Sequence, residues 1–108
     1  MWTFLGVHHR VTYSKNILWD ATQDISGWTG ILEARSHPQS LSTVFTLTEG
    51  AGLTLNADGT IDIDMTDILT TTFSVGDMAF EIFLTDPGGP TKHRAAWGTI
   101  TVNPTITS

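Results

Sequence analysis

Two adjacent histidines, His8 and His9, stand in an extended run near the N-terminus. Imidazole is the commonest metal ligand in proteins. Successive side chains on a strand, however, point to opposite faces, so this pair does not converge on one ion. His37 and His93 fall beside turns at distant positions. This spacing predicts scattered histidines and no metal site. Residues 56–62, NADGTID, offer oxygen ligands in Asn56, Asp58 and Asp62, with the Thr60 carbonyl beside them. A calcium loop of the EF-hand type needs its glycine and its bidentate Glu at set positions. Gly59 falls in the wrong place and no Glu follows at the right distance, so a hairpin turn accounts for the same residues.

Nucleophile chemistry has no better support. The chain contains no Gly-x-Ser-x-Gly elbow and no phosphate-binding glycine loop. Asp62 and Asp64 form a carboxylate pair, but both belong to the solvent face of one alternating strand. No catalytic residue, no cofactor and no metal is expected, and the chain reads as a non-enzyme. The four tryptophans, Trp2, Trp19, Trp28 and Trp97, say more. Tryptophan buries a large area and keeps one polar handle, so it anchors cores and interfaces. Exposed tryptophan can also stack on sugar rings, which requires aromatics aligned on one face beside hydrogen-bonding groups.

These residues are carried mostly by segments of period two. Residues 60–65, TIDIDM, set Ile61, Ile63 and Met65 on one face and Asp62 and Asp64 on the other. Residues 42–48 turn Phe45 and Leu47 inward, and residues 78–84 do the same with Phe80, Ile82 and Leu84. Residues 95–102 place Ala96, Gly98, Ile100 and Val102 on one face, which sends Trp97 to the other. In residues 23–36, QDISGWTGILEARS, a tight entry at 24–27 leads into a strand on which Trp28, Gly30, Leu32 and Ala34 share a face. Large followed by small suits a curved sandwich interior, so Trp28 is read as core. Turn signals at 36–40, 49–52, 56–60 and 86–90 separate the strands, and Asp58-Gly59 is a strong hairpin dipeptide. Residues 65–73 allow one helical turn capped by Thr66 or Asp67, expected to bury Ile68 and Leu69. The run of three threonines at 70–72 argues against anything longer.

Composition fits this picture. At 108 residues the chain makes one domain, residues 1–108, with 40% hydrophobic and 15% charged residues. Threonine is the commonest residue, and branched side chains favour strands. A formal net charge of −6 repels phosphate, and Arg10, Lys15, Arg35, Lys92 and Arg94 are scattered, so no nucleic-acid partner is expected. The chain has no cysteine, which excludes disulfides and thiolate chemistry. Its first ten residues, MWTFLGVHHR, lack the layout of a secretory signal. No apolar run approaches the roughly 20 residues that span a bilayer, so no membrane partner is expected either.

In order, TFLG, VTYSKNILWDATQDISGWTGILEARS, FTLTEGAGLTLNADGTIDIDM, TDILTTTF, MAFEIFLTDPGG and AAWGTITVNPTIT cover nearly the whole chain. This pattern resembles the small all-β virion proteins of tailed bacteriophages. It is similar to the N-terminal domain of phage baseplate upper proteins and to related tail-associated proteins. In that pattern a D-[IL]-[ST]-G-[WA]-T turn precedes a strand ending near [IR]-R-S. A G-x-[IL]-x-[IL] hairpin strand follows, and a W/L-x-G-x-[IVF]-x-V-x-P strand closes the domain. The usual G-x-Y-x-[YF]-[DE]-[LV] strand stands here as GDMAFEIFL, with Met78 at the aromatic position.

The expected fold is an antiparallel, immunoglobulin-like β-sandwich of about seven or eight strands. The resemblance implies a non-enzymatic structural protein of the virion, made in the host cytoplasm and serving as a tail, baseplate or fibre-associated adaptor. Capsid decoration is the alternative placement, and a carbohydrate-binding module for host recognition is the alternative from a different class. Its partners would be other virion proteins and copies of itself in a symmetric assembly. Residues 1–8 read as an N-terminal arm. Trp2, Phe4, Leu5 and Val7 on that arm, with the outward Trp97, are the expected interface residues.

Overall fold

Among the described residues, the alternation resolves into eight strands and one short helix. In chain order they are β1 (Trp2–His8), β2 (Tyr13–Leu18), β3 (Thr29–Arg35), β4 (Phe45–Glu49), β5 (Gly52–Leu55), β6 (Thr60–Met65), α1 (Asp67–Thr71), β7 (Gly76–Thr85) and β8 (Lys92–Asn103). The computed structural model describes residues 2–37, 43–88 and 91–104. Parts of the turns expected at 36–40 and 86–90, and the head of the run 42–48, therefore lie outside the described residues.

Hydrogen bonding links the strands in the order β1-β8-β7-β3-β4-β5-β6-β2. Most neighbours are antiparallel, while β1–β8 and β4–β5 run parallel. The β4–β5 contact holds two register pairs, Thr48 with Gly52 and Glu49 with Leu53. It is a corner where the chain passes from one half of the sandwich to the other. The inward faces of β1-β8-β7-β3 and of β4-β5-β6-β2 then share one core, in which Leu5, Leu32, Ile82 and Ile100 join Leu53, Ile61 and Ile63. The fold is the expected all-β sandwich, its eight described strands hydrogen-bonded in one mostly antiparallel sheet.

Residues 2–8 of the expected arm 1–8 are not a free arm. They pair along their length with β8, from Trp2 opposite Trp97 to His8 opposite Asn103. Leu5 and Val7 are fully buried in the protein's own core, so neither is available to a partner. Burying each side chain contributes about 1.5–3 kcal/mol, enough to hold the segment in the sheet. Gly98 makes the pairing feasible, because a Cβ there would lie 1.8 Å from the Thr3 carbonyl oxygen.

The single-turn helix is capped as expected, with Thr66 Oγ1 accepting from the Leu69 N–H at 3.1 Å. Its buried face differs from the expectation. Thr70 is buried and Leu69 packs partly against the core, but Ile68 is 79% exposed. The Thr70 hydroxyl donates to the Val11 carbonyl at 3.0 Å, which turns that position inward. A residue two positions earlier on a 3.6-residue turn must then face away.

The hairpin at Asp58-Gly59 forms as expected. The Gly59 N–H donates to Asn56 at 3.1 Å, the Asn56 N–H donates to Thr60 at 3.0 Å, and Gly59 has φ +80°. This is a three-residue loop closed by a left-handed glycine. The residues that sketched a calcium loop satisfy one another. Asp62 accepts from Asn16 at 2.6 Å and from Asn56 at 3.0 Å, and Asp58 accepts from the Thr60 N–H at 3.1 Å.

Candidate groove on the outer face of the sheet

Sheet register places the outward side chains of four neighbouring strands in rows. Trp2, Trp97, Glu81 and Glu33 are successive partners across β1, β8, β7 and β3. Phe4, Thr99, Ala79 and Arg35 form the next row. Ala79 and Thr99 are short, and the side chains around them are long. The surface therefore sinks into a groove of about 260 Å³ with Ala79 and Thr99 in its lining. Trp2 and Trp97 stand on one side, and Glu33 and Arg35 on the other.

One irregularity completes the wall. Ile82 pairs with Ala96, but Phe83 pairs with Arg94, so Ala95 is an extra residue in β8. Both Ala95 and Ala96 are buried, the mark of a β-bulge. Residues three apart on a regular strand face opposite sides. The bulge cancels that rule and sets Arg94 on the same face as Trp97. The guanidinium lies 4.3 Å from the Trp97 ring centroid. Its Nε–H donates to Glu81 Oε2 at 2.7 Å, a charge-assisted bond.

Across the groove, Arg35 Nη2 donates to Glu33 Oε2 at 3.2 Å, with both side chains about a quarter exposed. At one end Asp77 Oδ1 accepts from the Thr101 hydroxyl at 2.8 Å. Each of the three carboxylates thus accepts a hydrogen bond, two from guanidiniums and one from a hydroxyl. The arrangement can stack a flat apolar face, donate hydrogen bonds and accept them. Among the described residues, no group of three or more His, Cys, Asp or Glu could hold a metal ion.

The interface residues expected from the sequence separate into two sets. Trp2 and Trp97 are neighbours on the outward face, with Phe4 one row away. Trp2 is 66% and Phe4 54% exposed, whereas Trp97 is half-buried under Arg94. Leu5 and Val7 belong to the core. Trp28, read as core, is half-buried at its margin, packed edge-on against Trp19 at 5.5 Å and stacked on His93 at 5.6 Å. His93 is therefore part of an aromatic cluster and not a bare surface group. His8 ends β1 and His9 lies in the turn beyond it.

Glu33, Arg35, Asp77, Glu81 and Arg94 were not singled out by motif. The available signal was alternation: Glu33 and Arg35 flank the inward Ala34, and Asp77, Ala79 and Glu81 alternate with the inward Met78 and Phe80. Which two polar faces would lie side by side depends on the β3–β7 pairing, which no local pattern specifies.

No family model matches the chain, and no curated protein matches it in sequence. Among solved structures it is similar to one named "putative glycoside hydrolase" from Bacteroides vulgatus ATCC 8482, with a TM-score of 0.51 and 10% identity. The match covers 94% of this chain and 16% of that one, so this chain spans about a sixth of the solved protein's length. At that identity the likeness concerns the fold alone.

Proposed function

We propose that the protein is a non-enzymatic structural protein of a tailed-bacteriophage virion, an assembly or adaptor protein of the tail, baseplate or fibre region. Capsid decoration is the alternative placement. The sequence resemblance supports this reading, and one structural observation carries it: an apolar margin on a rigid sandwich. β1 and β2 are the two ends of the strand order. Lys15 Nζ on β2 reaches the Phe4 carbonyl on β1 at 3.5 Å, so the two edges lie side by side. Along them and their connecting turn, Phe4, Val11 and Leu18 are 54%, 43% and 52% exposed. Edge strands also carry unpaired backbone groups ready for a partner chain. Other virion proteins and further copies of this chain, arranged symmetrically, are the partners this margin suits. The net charge of −6 disfavours a nucleic-acid partner.

The test separates folding from assembly. A Phe4→Ser, Leu18→Ser double variant removes exposed apolar groups only, and surface changes of this kind usually alter stability by less than about 0.5 kcal/mol each. Expected are near-normal thermal melting and failed incorporation into particles when the variant replaces the wild-type protein. Normal incorporation would overturn the proposed margin.

A further inference from the structure

We infer that the groove between Trp2–Trp97 and Glu33–Arg35 is a binding site for a neutral sugar, one pyranose unit at a time. The site is distinct from the assembly margin. The Phe4 ring lies back along β1 over Gly6, with Cε2 3.3 Å from the point where a Gly6 side chain would begin. Trp2 and Phe4 are therefore free to serve different occupants.

Size sets the first limit. The groove holds about 260 Å³, slightly below the roughly 300–1,000 Å³ of pockets for drug-sized ligands. It takes one small ring and not an extended cofactor. Its apolar surface comes from the two tryptophans in register at one side. Trp2 is 66% exposed in a chain that buries most of its large apolar side chains. An indole in that position offers a flat face to the C–H side of a pyranose and leaves its N–H to water or a hydroxyl.

The polar groups select the ligand class. Each ring hydroxyl both donates and accepts, so a sugar needs both functions within reach. Arginine offers five N–H donors and no acceptor, and an ionised carboxylate accepts only. The Arg94–Glu81 and Arg35–Glu33 pairs supply the two functions side by side on opposite walls. Arg94 commits its Nε–H to Glu81 and rests on Trp97. Its terminal amino groups are thereby held in place to address a ligand, and less freedom is lost on binding. The charge balance excludes the rivals. Glu33, Asp77 and Glu81 against Arg35 and Arg94, with His37 also in the lining, leave the groove without the surplus of cationic groups that phosphate or a carboxylate ligand needs. Each carboxylate already accepts from an arginine or from Thr101, so none of the three stands open to a cation. A neutral polyol needs no such surplus and uses donors and acceptors alike.

The test uses the whole chain, labelled with ¹⁵N, and follows the indole N–H resonances of its four tryptophans. The probes are the methyl glycosides of glucose, galactose, mannose and N-acetylglucosamine, with sodium phosphate as the charged competitor. At least one glycoside is expected to shift Trp2 and Trp97 saturably, with a dissociation constant on the order of 1–10 mM, while Trp19 and Trp28 stay in place. Trp2→Ala and Arg94→Met should each weaken binding roughly tenfold or more, and Trp2→Phe should restore most of it. The Phe4→Ser, Leu18→Ser variant should bind as wild type whether or not it enters particles, which keeps this result apart from the assembly test. The inference is overturned if no glycoside in the panel gives a saturable shift. It is also overturned if Trp2→Ala binds as well as wild type, or if phosphate displaces the sugar at constant ionic strength.

Discussion

Replacing Gly59 by alanine should cost far more than a turn glycine usually does. Two effects combine. At φ +80° the backbone is left-handed, and a side chain there adds about 1–2 kcal/mol of strain. The larger effect is steric. A Cβ at this position would lie 1.7 Å from the Asp20 carbonyl oxygen and 3.0 Å from that of Gln23. To reach even 3.0 Å from 1.7 Å, the Asp20 carbonyl must retreat by about 1.3 Å. That movement pulls apart the bonds from the Trp19 and Asp20 N–H groups to the Gly59 carbonyl, now 3.0 and 3.3 Å long. Each contributes about 0.5–1.5 kcal/mol, so the total loss is about 2–5 kcal/mol. For a domain of this size that lowers the melting temperature by roughly 10 °C or more. Gly50→Ala is the matched control, because Gly50 has φ +79° and no atom within 4 Å of its Cβ position. It should show the strain alone. Urea unfolding followed by tryptophan fluorescence measures both variants on one scale. If Gly59→Ala is no more destabilised than Gly50→Ala, the close approach of the Asp20 loop is refuted.

Two further outcomes follow from local geometry. Thr66→Ala removes the helix cap and should destabilise by about 1 kcal/mol, while Ile68→Ser, at a 79% exposed position, should leave the unfolding midpoint unchanged; a larger effect at Ile68 would mean that α1 packs by the other face. Hydrogen bonds from Thr22, Ser26 and Thr60 hold the carboxyls of Asp20, Asp24 and Asp58 below their ordinary range. Depressed carboxyls stabilise the fold above the unfolded-state value, about 3.9 for Asp, and that contribution fades as pH falls through the lower folded values. Acid unfolding curves should therefore lose steepness below about pH 4 in Asp58→Asn, and an unchanged acid limb would remove Asp58 from the account.

The parts of the fold that were legible are those fixed by neighbours in sequence. The hairpin at 56–60 is set by Asp58-Gly59 and two flanking runs of period two, and all three forms of information agree. The inward faces of β7 and β8 follow from alternation, because each is solvated on one side. The misreadings concern residues whose environment is supplied from far away. Leu5 and Val7 resembled an exposed apolar arm until β8, more than 90 residues on, covered them. Ile25 sits in a turn sequence, yet it is fully buried because the loop folds over the core. Ile68 and Thr70 exchanged the roles expected from their polarity. The Val11 carbonyl needed a donor, and the Thr70 hydroxyl could supply one.

The groove shows why a site can be less legible than the fold that carries it. Its residues obey alternation on β3 and β7, so their outward direction is readable. Their assembly depends on one inserted residue. Without the bulge at Ala95, the parity of β8 would send Arg94 to the side opposite Trp97. Glu81 would then lose its partner, and the indole would lose the guanidinium that now rests 4.3 Å from its ring centroid. The bulge is tolerated because alanine is small enough for positions 95 and 96 both to be buried. Two consecutive alanines before a tryptophan are therefore the sequence trace of the feature. They read as ordinary strand residues until the register of β7 shows that one of them is inserted between Arg94 and Ala96. Bulges re-aim side chains at functional surfaces, and this one brings a tryptophan, an arginine and a glutamate to the same wall.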